Sequence, residues 1–185
     1  MNIIVKPHGG ESCYCRPDTT WERENRDFYS PDCVNEIYWT PILFARVSKA
    51  GKCIGPKFAG RYYDSVGFGI LLYCNDTEIA FASCADHTSI LPHPLLDQLI
   101  LDDEQDFSVM KDDICMAAIS AKCGEWRNLL ENALCSASRL TSLRIGDFIA
   151  LEMDDIKSLT SRENGDVSVK GLVNGAESFN FKIIF

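Results

Sequence analysis

Apolar side chains at Trp126, Leu129, Leu130, Ala133, Leu134 and Ala137 fall at i, i+3, i+4, i+7, i+8 and i+11. That spacing lays a single stripe along an α-helix and predicts the chain's one long helix here. Gly124 and Glu125 suit its start, and residues 112–122 are expected to add a helical turn or two just before it. Elsewhere the pattern is that of strands. Residues 66–74 are continuously apolar apart from two glycines and read as a buried strand. Residues 36–47 are rich in aliphatic and aromatic side chains, and Pro41 inside them implies an edge or a bulge. Residues 49–52 read as a turn, followed by a short piece ending at Ile54. Near the end, residues 148–153 are one strand candidate. Val167, Val169 and Val173 alternate with polar residues, as do Phe179, Phe181 and Ile183. Between those last two runs Asn174-Gly175 is a two-residue hairpin signal, because both positions tolerate positive φ; Asn164-Gly165 marks another turn. The class is mainly β with helices, α+β, in a rolled sheet or sandwich.

Length and composition narrow this further. A chain of 185 residues with 46% hydrophobic side chains suits one domain, residues 1–185, with a substantial core. Eighteen basic against 27 acidic residues give a net charge of −9. That argues against a nucleic-acid partner, which needs a basic patch, and against a polybasic membrane-surface protein. The longest apolar run is far short of a membrane span, and Ile3-Ile4-Val5 is too short for a secretory signal. A cytoplasmic location is therefore expected. The nine cysteines are odd in number and have no C-x-x-C spacing, so free thiols in a reducing compartment are expected. Cys13 and Cys15 have one residue between them, which is not a zinc-site spacing.

Few residues offer chemistry. Cys84, Asp86 and His87 have the parts of a nucleophile site, but such triads are assembled from distant segments, so Asp86 stands only as a weak catalytic candidate. Asp102, Asp103, Glu104 and Asp106 lack the glycine and closing glutamate of a calcium loop and read as solvated. Gly67 and Gly69 are not followed by the helix a phosphate loop requires.

Three stretches together resemble the fumarylacetoacetate hydrolase family, in a bacterial-type, degenerate and shortened form. The first is Arg16-Pro17-Asp18-Thr19 followed by Asp27-Phe28-Tyr29-Ser30-Pro31-Asp32. The second combines Gly51-Lys52, Lys57-Phe58-Ala59, Arg61-Tyr62-Tyr63-Asp64 and Val66-Gly67-Phe68-Gly69-Ile70. The third runs from Ser142-Leu143-Arg144-Ile145-Gly146-Asp147 through Gly165-Asp166 to the final hairpin. They cover most of the chain outside residues 78–125. The resemblance implies the family's mixed β-sandwich roll, of the C-terminal-domain type, as a homodimer. It also implies enzymes that hydrolyse, decarboxylate or isomerise small keto acids with Mg²⁺ or Mn²⁺, held by a Glu-x-Glu pair on one strand and an Asp on another.

Against that pattern this chain departs. The Glu-x-Glu positions fall on Thr40 and Ile42, and the Asp position on Leu71. The family's catalytic lysine aligns with Ser83, leaving Asp86 as the retained acid; its Thr-Gly-Thr-Pro turn aligns with Leu151-Glu152-Met153-Asp154. The lid segment, with its His-Glu pair, is cut to residues 6–12, where His8 is a remnant. A slip of register does not restore the ligands, since Glu36 and Asp76 are the nearest carboxylates. The expectation is a pseudoenzyme with no metal and no cofactor, serving as a binding or structural module. The alternative is an active hydrolase, decarboxylase or isomerase with a site relocated to Asp86, His87 and Arg61. A third reading puts a small hydrophobic ligand beside Ile42 and Leu71.

Overall fold

The computed structural model describes residues 1–74, 82–121 and 124–185. The larger of two curled sheets contains β1 (Ile3–Lys6), β2 (Tyr14–Arg16) and β3 (Trp21–Glu22). The chain then sends β4 (Phe28–Tyr29) to the second sheet and returns with β5 (Glu36–Val47), β6 (Tyr63–Cys74), β7 (Ser89–Ile90) and β8 (Leu96–Asp97). The second sheet receives β9 (Gln105–Lys111) and β10 (Ile114–Ala121). After helix α1 (Glu125–Leu140), β11 (Phe148–Glu152) and β12 (Lys157–Ser161) rejoin the first sheet. The closing hairpin, β13 (Val167–Val173) and β14 (Ala176–Ile184), completes the second. Spatial order is β2-β1-β11-β5-β6-β7-β3 in one sheet, with β12 on β5 and β8 on β6, and β10-β9-β13-β14-β4 in the other.

β5 and β6 are the spine. They pair antiparallel from Ile37↔Cys74 to Arg46↔Ser65 and are buried on both faces, which is why residues 66–74 read as unbroken apolar sequence. One face presents Trp39, Leu43, Phe68 and Ile70 to the large core, shared with Phe107, Val169 and Phe179 of the second sheet and with Trp126, Leu130 and Leu134 of α1. Phe68 lies 5.0 Å from Trp126 and 5.5 Å from Phe107 between ring centroids, so the contact of sheet, sheet and helix is aromatic. The opposite face looks into the curl of the first sheet. It carries a smaller apolar cluster of Ile3, Val5, Ile42, Phe44, Leu71 and Phe148, with Tyr73, Ala82, Leu91 and Ala150.

Local chemistry explains several details. Pro41 marks neither an edge nor a bulge. β12 pairs with residues 36–39 of β5 and β11 with residues 42–46, so the proline sits where the neighbouring chain crosses over and no ladder donor is needed. Gly67 and Gly69 are packing devices: a Cβ at Gly67 would meet the Phe44 ring at 2.4 Å, and one at Gly69 the Ile90 carbonyl oxygen at 2.1 Å. Over the described part of residues 112–122, residues 112–121, the expected helical turns are absent. Asp112 and Asp113 both adopt positive φ, 45° and 65°, and make the tight turn of a β9–β10 hairpin. Leu129 departs from the helix stripe and is 47% exposed, whereas Trp126, Leu130, Ala133, Leu134 and Ala137 are buried. The Asn174-Gly175 hairpin forms as expected, with φ of 49° and 79°.

Asp147, wholly buried, ties the first strand to the last part of this sheet. Its Oδ1 accepts from the Asn2 amide at 2.8 Å and its Oδ2 from the Arg144 amide at 2.8 Å. Asp147→Ala removes two charge-assisted bonds together and is expected to cost about 3 kcal/mol in urea unfolding, with an unchanged m-value.

Candidate functional site

Register decides which side chains meet inside the curl. Thr40 lies opposite Leu71, and Ile42 lies between Gly69 on one side and Glu152 on the other. Thr40, Ile42 and Leu71 therefore share one face, and all are wholly buried. Ile42 and Leu71 belong to the smaller apolar cluster, while the Thr40 hydroxyl donates to the Asp154 carbonyl at 2.7 Å. Ser83 is buried next to Ala82 of that cluster. Asp76 lies outside the described residues.

At the end of this apolar floor sits a polar knot. The Tyr14 and Tyr73 hydroxyls are 2.6 Å apart, and both bond to Glu152 Oε1. The other carboxylate oxygen of Glu152 accepts from the His8 amide at 3.1 Å, and the His8 ring pairs with Asp155. Arg16 lies over the Tyr73 ring, 5.0 Å from its centroid, and its Nη2 donates to the Leu72 carbonyl and the Thr88 hydroxyl at 2.8 and 2.7 Å. Burial, followed by the neighbouring Glu152 charge, pushes the Tyr14 phenol far above its ordinary value. Burial does the same at Tyr73, with Tyr14 and Glu152 adding to it. Near α1, burial raises Tyr63 to about 12. All three phenols thus resist ionisation more when folded than when unfolded. Their contribution is complete below the unfolded value near pH 10 and is lost as pH rises through the folded values. An absorbance titration at 295 nm is expected to show Tyr14, Tyr63 and Tyr73 silent at pH 10.5 and ionising only as the fold is lost.

A divalent cation does not fit this face. Thr40 offers one hydroxyl, already directed at a carbonyl, and Ile42 and Leu71 offer none; Glu152 is the one carboxylate placed there by the described strands. Among the described residues no group of three or more His, Cys, Asp or Glu side chains is arranged to hold a metal ion.

Asp86 and His87 line an open cleft of about 750 Å³ with Asn25, Arg26, Asp27 and Glu22. His87 Nδ1 is 3.1 Å from Oε2 of the buried Glu22, and Glu22 Oε1 accepts from the Glu24 amide at 2.7 Å. Asn25 and His87 both adopt φ of 58°, a left-handed conformation uncommon for side-chain-bearing residues. Neither Cys84 nor Arg61 lines this cleft; the Arg61 guanidinium stacks on Phe58 instead. Glu22 gave no signal in the sequence, because its neighbour in the site is 65 positions away. A second, mostly apolar pocket of about 530 Å³ lies between residues 6–10, α1 and Ile119 of β10. Ile42 and Leu71 do not line it. Among the acidic residues expected to be solvated, Asp102 pairs with Arg127 at 2.8 Å and Asp106 accepts from Ser120 at 2.5 Å. No disulfide joins the eight described cysteines.

No protein-family model matches the sequence, and no curated protein does. Solved structures do. Fumarylpyruvate hydrolase from Pseudomonas aeruginosa, crystallised with Mn²⁺ and pyruvate, superposes with a TM-score of 0.82 at 12% identity, over 100% of this chain and 90% of that one. 2-Hydroxyhepta-2,4-diene-1,7-dioate isomerase from Mycobacterium marinum gives 0.83 at 10% identity, over 99% and 74%. A protein from Yersinia pestis CO92 assigned to the fumarylacetoacetate hydrolase family gives 0.76 at 13%, over 99% and 92%. From end to end, the chain has the fold of the fumarylacetoacetate hydrolase family.

Proposed function

We propose that this protein uses the family fold without divalent-metal catalysis, as a binding or structural module. The observation that carries the reading is the inner face at Thr40, Ile42 and Leu71, where a hydroxyl and two aliphatic side chains are wholly buried. Mg²⁺ and Mn²⁺ need several oxygen ligands to replace the water they shed, and this surface offers only the Thr40 hydroxyl, already donating to a carbonyl, and the Glu152 carboxylate, already hydrogen-bonded. Among the described residues no helix is long and apolar enough to cross a membrane. A cytoplasmic homodimer that binds neither membrane nor nucleic acid completes the proposal. Isothermal titration with Mn²⁺ and Mg²⁺ tests it: the expected result is no heat of binding at micromolar metal, and stoichiometric binding defeats it.

A second reading keeps the protein an enzyme of the same broad class, a hydrolase, decarboxylase or isomerase acting on a small keto acid at a relocated site. It is favoured by the Glu22–His87 pair beside Asp86. A buried carboxylate on Nδ1 fixes the imidazole tautomer and leaves Nε2 as a base. The pyruvate bound to the Pseudomonas hydrolase suggests pyruvate-containing substrates. If this reading holds, purified protein turns over acylpyruvates or oxaloacetate in the presence of EDTA, and His87→Gln lowers kcat at least a hundredfold. Absence of turnover removes it.

A further inference from the structure

Leu129 belongs to the apolar stripe of α1 yet is 47% exposed, and it lines the pocket of about 530 Å³ between α1 and residues 6–10. The walls around it are apolar: Pro7, Ile119, Leu151 and Met153, with Trp126 beside them. Trp126 is 6% exposed and packs its ring 5.0 Å from that of Phe68 on the core side. A tryptophan this buried ordinarily satisfies its N–H. Here the indole N–H finds no hydrogen-bond partner among the described residues, yet it is not sealed from solvent, so it opens toward the pocket that the residue lines. Asn132 and Ser136, four positions apart on α1, add a carboxamide and a hydroxyl to the same wall. The charges at the rim are already committed. Lys6 Nζ donates to the Glu11 carbonyl at 2.7 Å, the Glu152 oxygens take the Tyr14 and Tyr73 hydroxyls and the His8 amide, and the His8 ring pairs with Asp155.

We infer that this pocket is a binding site for a small uncharged molecule, a flat apolar body with one carbonyl oxygen that accepts from the Trp126 indole N–H. Its volume falls within the roughly 300–1,000 Å³ of small-molecule sites, and a largely apolar lining with a few polar groups is their usual make-up. An indole N–H only donates, so the group it meets has to be an acceptor. Charge settles the class. An ion would shed water against walls that hold no free counter-charge, and the Glu152 and Asp155 carboxylates repel an anion in particular. Keto acids are therefore excluded here. The site also lies apart from the inner face, since Thr40, Ile42 and Leu71 do not line it. Residues 6–10 close one side. Gly9, at φ 63°, reverses the chain, the Gly10 amide donates to the Pro7 carbonyl at 3.2 Å, and Glu152 holds the His8 amide, so this wall is set before a ligand arrives.

This site stands or falls separately from the metal question. Nitrogen-15 spectra of the wild-type protein in EDTA follow the Trp126 indole N–H resonance as 2-acetonaphthone, 2-naphthoate or 2-ethylnaphthalene is added. The ketone is expected to shift that resonance saturably, and the carboxylate on the same ring to bind roughly tenfold more weakly or worse. Leu129→Glu, at a half-exposed position, is expected to abolish ketone binding while the chain stays folded. Trp126→Phe is expected to weaken the ketone roughly tenfold and to leave 2-ethylnaphthalene, which has no acceptor, nearly unchanged. A tryptophan that served packing alone would not separate the two. If Trp126→Phe fails to fold, the wild-type resonance and Leu129→Glu still decide the matter. No saturable shift with the ketone, or equal binding of ketone and naphthoate, overturns the inference. Shifts that follow protein concentration in place of ligand also overturn it and assign the face to a second copy of this chain. Manganese binding defeats the metal-free reading and leaves this site standing, whereas failure of the ketone to bind leaves that reading untouched.

Discussion

Ile42→Glu is expected to destabilise the protein by more than about 4 kcal/mol in urea unfolding, with Mn²⁺ giving no rescue. Ile42 is wholly buried between Gly69 and Glu152, on the same face as Phe44 and Leu71. A carboxylate placed there loses its water and faces a second carboxylate across the strand pair, with the Arg16 charge outside salt-bridge reach of Glu152. Ile42→Val, which trims one methyl group and adds no charge, is expected to cost only about 1 kcal/mol. The contrast between the two isolates charge burial from packing. A stable Ile42→Glu variant that gains stability with Mn²⁺ would mean that the site is still built for a cation.

Gly69→Ala carries the second large effect. In a strand this substitution ordinarily stabilises by a few tenths of a kcal/mol or more, because it restricts the unfolded chain. Here the added methyl would sit 2.1 Å from the Ile90 carbonyl oxygen and 3.3 Å from Pro92 Cδ, so the β6–β7 pair has to open. Because β3 hangs on β7 through Glu22↔Ile90, and the Leu91 amide donates to the Glu22 carbonyl, the displacement spreads to that edge. A loss of about 3 kcal/mol is expected, with faster amide exchange at Leu91 and Leu72 while α1 stays protected. Unchanged exchange at Leu91 contradicts this account of the edge.

How much of this could be read beforehand differs from element to element for physical reasons. β5, β6, α1 and the final hairpin were legible because each repeats a period over many residues, and the Asn174-Gly175 turn has chemistry of its own. β2, β3, β4, β7 and β8 were not, since two or three residues hold no period and their pairing comes from tertiary contact. The β9–β10 hairpin is not legible as such because Asp112-Asp113 lacks the glycine that usually announces a two-residue turn. Within the site, the common face of Thr40, Ile42 and Leu71 follows from strand register. Glu152 does leave a signal: alternation along β11 puts Phe148, Ala150 and Glu152 on one inward face, and a carboxylate at an inward position calls for partners. Glu22 and the buried contacts of Arg16 left no such mark, because each depends on residues brought from far along the chain.

The central claim of the proposed reading is that the inner face at Thr40, Ile42 and Leu71, with Glu152 as its one carboxylate, has too few anionic oxygens to hold a divalent metal. Crystals soaked in 10 mM MnCl₂ and measured at the manganese absorption edge test it directly. The account predicts no anomalous peak within about 4 Å of the Thr40, Ile42 and Leu71 side chains, a distance set by the longest metal–oxygen contacts plus one side-chain bond. An ordered manganese with octahedral oxygen ligands at that spot would contradict it.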